Sequence, residues 1–491
     1  MLYNSYIFIL AFLPIVLIGY YTFNYFHYYK GATMWLCLAS LFFYGFFNWS
    51  YLPIILLSIA INFTLSRLIR PKKRVGGGII LSDFVRKVLM IIGLVCNFGA
   101  LFYFKYYDFL VSNINSLFGT DFVFLNLLLP LGISFFTFQQ VSYILDCYHG
   151  GVPFYSLSEY ALFVTFFPQL IAGPIVLHNE MIPQFMDLQN RKFQADNFAK
   201  GLMAFGFGLA KKVLLADTFA KAVDVGFSNV EALGTVNALI VMLCYTFQIY
   251  FDFSGYCDMA TGIGKFFNID IPMNFNSPYR AKTITEFWGC WHMTLTRFFT
   301  TYVYIPLGGN RKGKLRTYFN VMIVFFVSGI WHGANWTFIL WGVMHGAASV
   351  VTRIFKKQIA EWHPAFSWLC TFSFVNVAWI FFRADSISQA VTFLREIYNL
   401  NIVPIMDGIT DAFMLPEFKW LLEIMGKSGY DYLLWVGFII FGLFACLQMK
   451  NTNERLDTFR AAGITAFVSG LLTVWAIISL SGVSVFLYWN F

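Results

Sequence analysis

Two histidines, His292 and His332, stand among the polar residues that this chain concentrates between 252 and 346. The same stretch holds Asp252, Asn276, Glu286, Arg297 and Asn335, with Trp331 and Trp336 beside them. An imidazole titrates at about 6.5 in water; when desolvated it stays neutral and can take a proton from a hydroxyl. His332, followed by Gly333 and set between two tryptophans, suits a general base facing a narrow aromatic tunnel. The reaction this fits is acyl transfer from a thioester to a hydroxyl, since a thiolate leaves readily. His292 would then orient the acceptor or stabilise the tetrahedral oxygen. For each histidine the alternative is a core imidazole bonded to a neighbouring carbonyl. A metal is not indicated, because neither has a carboxylate three or four residues away. Buried ionisable groups are costly, so their grouping points to a paired polar cavity.

The scaffold that must position these groups is apolar. Of 491 residues, 59% are apolar, 21% aromatic and only 12% charged, against about 45–50% apolar and about 25% charged in soluble domains. The chain reads as an all-α polytopic membrane protein forming one membrane domain over 1–491, not as a disordered, collagen-like or disulfide-built one. Its net charge of +8 sits in a few short linkers and points to topology, not to nucleic acid. The eight cysteines include no C-x-x-C pair and lie mostly in apolar runs, as buried thiols do. No charge precedes Lys30 and no small-residue cleavage pattern follows, so the apolar start reads as a retained span.

Apolar runs long enough for a bilayer core of about 30 Å fall at 5–25, 33–47, 51–69, 88–110, 122–145, 160–177, 235–251, 365–382, 432–449 and 463–489. The stretches 200–222 and 284–307 are amphipathic or interrupted, and the expected total is ten to fourteen segments, re-entrant ones included. Arg67, Arg70, Lys72, Lys73, Arg74, Arg86 and Lys87 mark the third linker as cytoplasmic, which puts the N-terminus outside. Asp407, Asp411, Glu417, Glu423 and Asp431 against Lys419 and Lys427 make 400–431 extracytoplasmic.

Residues 317–352 lie between two basic linkers and contain no Asp, Glu, Lys or Arg. As one straight helix they would run about 54 Å, too long for one crossing and short for two. A hairpin or re-entrant pair follows, with Gly329 and Gly333 as breakers and His332 between them. Non-helical backbone at membrane depth is tolerated only where it packs in protein or lines a cavity, so an imidazole there is a site candidate.

Other signals carry less. Gly308-Gly309-Asn310-Arg311-Lys312-Gly313-Lys314 could hold donor phosphates through Arg311, Lys312 and Lys314, but it lacks the Walker pattern and is read first as a topology signal. His27, His149, His178, His345 and His363 read as interfacial or packing residues, with His345 also able to line the cavity. Asp385 reads as a helix-end cap. A transporter with a midplane site is the rival class, and inverted or parallel repeats would favour it; none is found. An acyltransferase serving a lipid, teichoic acid or secreted protein is the third reading.

Taken together, the motifs resemble the membrane-bound O-acyltransferases, in particular the bacterial branch of the alginate O-acetyltransferase membrane subunit. The stretches that carry the resemblance are Ser134 to Gln140 with Tyr143, Phe166 to Ile175, Tyr250 to Tyr256, Asn274 to Arg280 and Trp291-His292. Tyr304 to Arg311, Trp331 to Trp336 and Trp379 to Ala384 complete the set, in the family's order over about 130–385. Gly289-Cys290 departs from the branch, which often has basic residues there. The resemblance implies a helical enzyme with a tunnel reaching His332, and His292 as the second family histidine. It implies no bound cofactor and acetyl-CoA as the cytoplasmic donor. The acyl group would cross the bacterial cytoplasmic membrane and end on an extracytoplasmic polysaccharide such as alginate, peptidoglycan or cellulose. A separate serine-hydrolase-type O-acetyltransferase would complete the transfer.

Overall fold

The computed structural model describes residues 1–70, 81–415, 430–460, 462–480, 486 and 487, and among them it is helical with no strand. Lys72, Lys73, Arg74, Glu417, Lys419, Glu423, Lys427 and the side chain of Asp431 lie outside the described residues. Among the described residues six helices are long and apolar enough to cross a membrane: α1 (Phe8–Tyr25), α3 (Trp49–Ile69), α4 (Asp83–Phe118), α10 (Gly234–Phe266), α14 (Trp336–Ile354) and α15 (Pro364–Arg383). The other elements used below are α2 (Tyr29–Gly45), α5 (Ile133–His149), α6 (Leu157–Thr165), α7 (His178–Met186), α8 (Ala195–Ala210) and α9 (Asp217–Ser228). Later in the chain come α11 (Ile284–Cys290), α12 (Met293–Phe299), α13 (Lys314–His332), α16 (Ile387–Tyr398), α17 (Tyr430–Leu447) and α18 (Gly463–Ile478).

Three expected spans are cut short, two of them for a visible local reason. The run at 122–145 is helical only from Ile133. Before it, the Asp108 carboxylate takes the backbone N–H groups of Leu125 and Asn126, and Asn115 takes that of Phe122. These side chains satisfy the backbone without a helix. The run at 160–177 breaks after Thr165 and again after a single turn at Phe167–Leu170, next to Pro168 and Pro174, which cannot continue a helix. In 463–489 the helix stops at Ile478.

The chain clusters into two compact units, Met1–Leu202 with Ala260–Pro272, and Met203–Met259 with Met273–Phe491. In the first, Asn62 and Asn97 exchange side-chain hydrogen bonds of 3.1 and 2.7 Å between α3 and α4. His178, at the start of α7, lies 3.2 Å from the Asp146 carboxylate and 3.2 Å from the Tyr155 hydroxyl, a satisfied packing histidine.

The second unit is built on close helix approach at glycines. A Cβ on Gly208 would lie 2.6 Å from the Gly255 carbonyl, and one on Gly255 would lie 2.8 Å from that of Gly208. Small residues let α8 and α10 come this near. Just beyond, Lys211–Ala216 form a wide turn closed by the Asp217 N–H on the Lys212 carbonyl. Helices α13 and α14 pair in the same way. A Cβ on Gly342 would sit 2.4 Å from the Phe325 carbonyl, and one on Gly329 would sit 2.5 Å from that of Phe338. The uncharged segment is therefore a helical hairpin, broken at Gly333.

Candidate functional site

His332 is the last residue of α13 and is 2% exposed. Gly333 is extended, and Asn335 restarts the helix by accepting the Thr337 N–H at 3.1 Å. The imidazole is enclosed edge-on by the rings of Trp331 at 4.9 Å, Trp341 at 5.0 Å and Phe382 at 5.2 Å. Its position is set by the hairpin, because the glycine contacts fix α13 against α14.

His292 is fully buried at the junction of α11 and α12, with φ 45° and ψ 51°. A left-handed conformation is uncommon for a residue with a Cβ, and such strain gathers at functional sites. Its Nδ1 lies 3.1 Å from Asn274 Oδ1, which also accepts the Thr294 N–H at 3.2 Å and the Thr294 hydroxyl at 2.9 Å. A backbone N–H only donates, so the Asn274 atom facing it is the carbonyl oxygen. His292 Nδ1 must then carry the proton, and Nε2 keeps the lone pair. The residue lies outside the six candidate spans, and burial pushes its pKa down to about 3. The imidazole is neutral near pH 7.

A third imidazole joins them. His345, on α14, is fully buried and accepts the Trp288 indole N–H on Nδ1 at 3.1 Å. Indole can only donate, so His345 carries its proton on Nε2. Trp331 meets both His292, at 6.1 Å, and His332, at 4.9 Å. Trp341 meets both His332, at 5.0 Å, and His345, at 4.8 Å. The three histidines thus share one aromatic shell. Trp288 also lines a cavity of about 270 Å³ with Leu295, Thr296, Ser328 and Arg353.

The remaining sequence candidates separate. Asp252 is buried but belongs to an ion cluster: Lys212 Nζ lies 2.6 Å from it and 2.8 Å from Asp217, and the Leu487 N–H donates to its other oxygen at 2.8 Å. Arg297 is half-buried in the last turn of α12. Glu286, expected in a buried cavity, is exposed. Its carboxylate accepts the Lys282 N–H, and its own N–H is taken by Thr283, the N-cap of α11. Asn276 is exposed and accepts from the Asn451 amide, and Trp336 is 53% exposed. Asn335 caps α14 and donates to the Asp385 carbonyl at 2.9 Å. Arg311, Lys312 and Lys314 are all exposed, beside a turn whose Leu307 and Gly309 carbonyls accept from Asn320. Asp385 is not a cap; Ser386 caps α16.

Sequence reasoning passed over Lys212, Asn274 and Trp341. The signal for Asn274 was its place in the Asn274 to Arg280 motif, eighteen residues before His292. Lys212 shows no signal at all until α8 meets α10.

Comparison with known proteins places the chain in a family. The family model described as MBOAT, membrane-bound O-acyltransferase family, matches residues 152–387, which include all three histidines. The chain is 40% identical to the peptidoglycan O-acetyltransferase of Helicobacter pylori, over 100% of this chain and 98% of that protein. It is 37% identical to the probable alginate O-acetylase AlgI of Pseudomonas aeruginosa, over 82% of this chain and 75% of that one. Similarity to the teichoic acid D-alanyltransferase of Streptococcus thermophilus is 30% over 46% of this chain and 58% of that protein. The chain belongs to the membrane-bound O-acyltransferase family. It is an acyltransferase and a multi-pass membrane protein.

Proposed function

We propose that this acyltransferase moves acetyl groups from cytoplasmic acetyl-CoA toward hydroxyls of an extracytoplasmic polysaccharide, with peptidoglycan as the first acceptor to test. The reading is supported by the near-complete match to the Helicobacter pylori enzyme and, above all, by an imidazole enclosed at a helix break. His332 removes the proton of the attacking hydroxyl. Its oxygen bonds to the thioester carbonyl carbon, the carbon–sulfur bond breaks, and the coenzyme A thiolate leaves and takes up a proton. His292, neutral and fixed in one tautomer, orients the acceptor. Trp331 and Arg297 line the approach, and Asp252 holds α10 through Lys212. Arg311, Lys312 and Lys314 attract the donor phosphates on the cytoplasmic face of the bacterial inner membrane, with the N-terminus outside. A serine-hydrolase-type partner carries the acetyl group to the glycan, its serine being the hydroxyl that His332 activates.

Radiolabelled acetyl-CoA in proteoliposomes tests this. Label should reach a partner or glycan with the wild type and fail to do so with His332→Gln. Transfer that survives His332→Gln would remove His332 from the chemistry. Absence of donor turnover with partner and peptidoglycan supplied would overturn acetyl transfer itself.

A further inference from the structure

We propose that a groove along α17 binds one anionic glycerophospholipid, with an acyl chain along the helix and the phosphate between Lys450 and Arg455. The groove encloses about 480 Å³, within the ~300–1,000 Å³ range of small-molecule sites. Its shape is long. Leu433, Gly437, Phe441 and Ala445 follow one another at four-residue intervals, and Met449 ends the row. The helical row from Leu433 to Ala445, twelve steps at about 1.5 Å each, gives a stripe of about 18 Å before Met449, suited to an extended hydrocarbon chain rather than a compact metabolite.

The polar groups gather at one end. Lys450, Asn451, Thr452 and Arg455 line the groove just past the C-terminus of α17. Lys211 also lines it, but Asp258 neutralises it at 2.6 Å, and the Thr452 hydroxyl donates to the same oxygen. Glu454 is turned back onto the Asn451 N–H in a capping box. Among the described residues no carboxylate pairs with Lys450 or Arg455, and the Arg455 guanidinium rests over the Phe207 ring at 5.1 Å. One apolar stripe ending in two such cations fits an amphiphile with a single anionic head.

Gly437, exposed on this face of α17, keeps the middle of the groove open. A glycine inside a helix costs about 1 kcal/mol relative to alanine. Close packing would explain it, yet a Cβ added there meets nothing within 4 Å. Tyr250 forms part of the groove wall, and its ring meets Phe275 at 6.2 Å and Trp291 at 6.4 Å, next to the His292 shell.

The full-length protein, freed of lipid in detergent, is mixed with phosphatidylglycerol or phosphatidylcholine of the same chains, and retained lipid is read by native mass spectrometry. Wild type should retain phosphatidylglycerol at least about tenfold better than phosphatidylcholine. Lys450→Gln with Arg455→Gln should abolish that preference. Gly437→Leu should reduce retention of both lipids while keeping the wild-type melting temperature. Equal retention of the two lipids by wild type overturns the anionic head. Undiminished retention by Gly437→Leu overturns the acyl groove, as does equal protection from heat by glycerol 3-phosphate alone. If Gly437→Leu does not fold, Ala445→Leu puts the same question to the next position along the stripe.

Discussion

His292 donates from Nδ1 to Asn274 Oδ1, and the backbone N–H of Thr294 shares that acceptor. One amide oxygen therefore fixes both the tautomer of the histidine and the first turn of the helix it opens. With Nδ1 donating there, the lone pair is on Nε2, on the opposite side of the ring.

Replacing Asn274 by Asp should change the pH profile. In the wild type, burial holds His292 near 3, so its protonation does not limit the rate between pH 5 and 8. A carboxylate 3 Å away favours the imidazolium and raises the pKa. Acetyl transfer by Asn274→Asp should fall as the pH is lowered from 8 to 5, while the wild-type limb from this group stays flat. Parallel pH–rate curves for the two proteins would count against the tautomer argument.

The same shift has a consequence for stability. The folded pKa of about 3 lies below the unfolded value of about 6.5, so the unfolded chain binds more protons between them. Stability from this group is complete above about pH 6.5 and is lost as the pH falls toward 3. Melting temperatures measured from pH 7.5 to 4.5 should drop less for His292→Gln than for wild type.

His332→Gln keeps most of the side-chain volume inside its three-ring enclosure but cannot act as a base. Acetyl transfer should fall by at least about a hundredfold, with expression and melting temperature close to wild type. A large fall in melting temperature with a proportionate activity loss would instead mark a packing residue.

How much of this was legible follows from where each signal lies. The hairpin was, because 317–352 has no charge between basic linkers and Gly333 offers the break. The N-cap of α11 stood in the sequence as Thr283, three residues before Glu286, but the Glu286 carboxylate takes the N–H of Lys282 and not that of Thr283. The aromatic neighbours drew Glu286 into the expected cavity, and an exposed carboxylate is what the structure shows. The start of α5 was not, since hydropathy at 122–132 does not reveal that Asp108 reaches across to two backbone N–H groups. The shared shell of His292, His332 and His345 depends on Trp331 and Trp341, which flank His332 together only once α13 and α14 pair.

That pairing can be tested at its glycines. A Cβ at Gly342 would approach the Phe325 carbonyl to 2.4 Å, and backbone cannot yield as a flexible side chain does. Gly342→Val should destabilise the protein by about 1–3 kcal/mol and lower activity by displacing His332. Gly99→Ala, where a Cβ meets nothing within 4 Å, should be neutral or slightly stabilising. Thermal unfolding in one detergent compares the two.

The buried cluster of Lys212, Asp252 and Asp217 makes the last prediction. Lys212 is 4% exposed and Asp252 1%, so neither charge is solvated. Removing the lysine alone leaves two carboxylates without their cation, and breaking a buried pair in this way costs about 3–5 kcal/mol. Lys212→Met should therefore lose much of its stability. Lys212→Met with Asp252→Leu removes both charges of the closest pair, and should recover a substantial part of the loss, since apolar replacements of a buried pair are often neutral. Asp217 keeps its partial exposure and needs no replacement. Melting temperatures of the single and double variants decide the matter: a double variant no more stable than Lys212→Met would mean that the contact with the Leu487 N–H, and not the ion pair, is what Asp252 supplies.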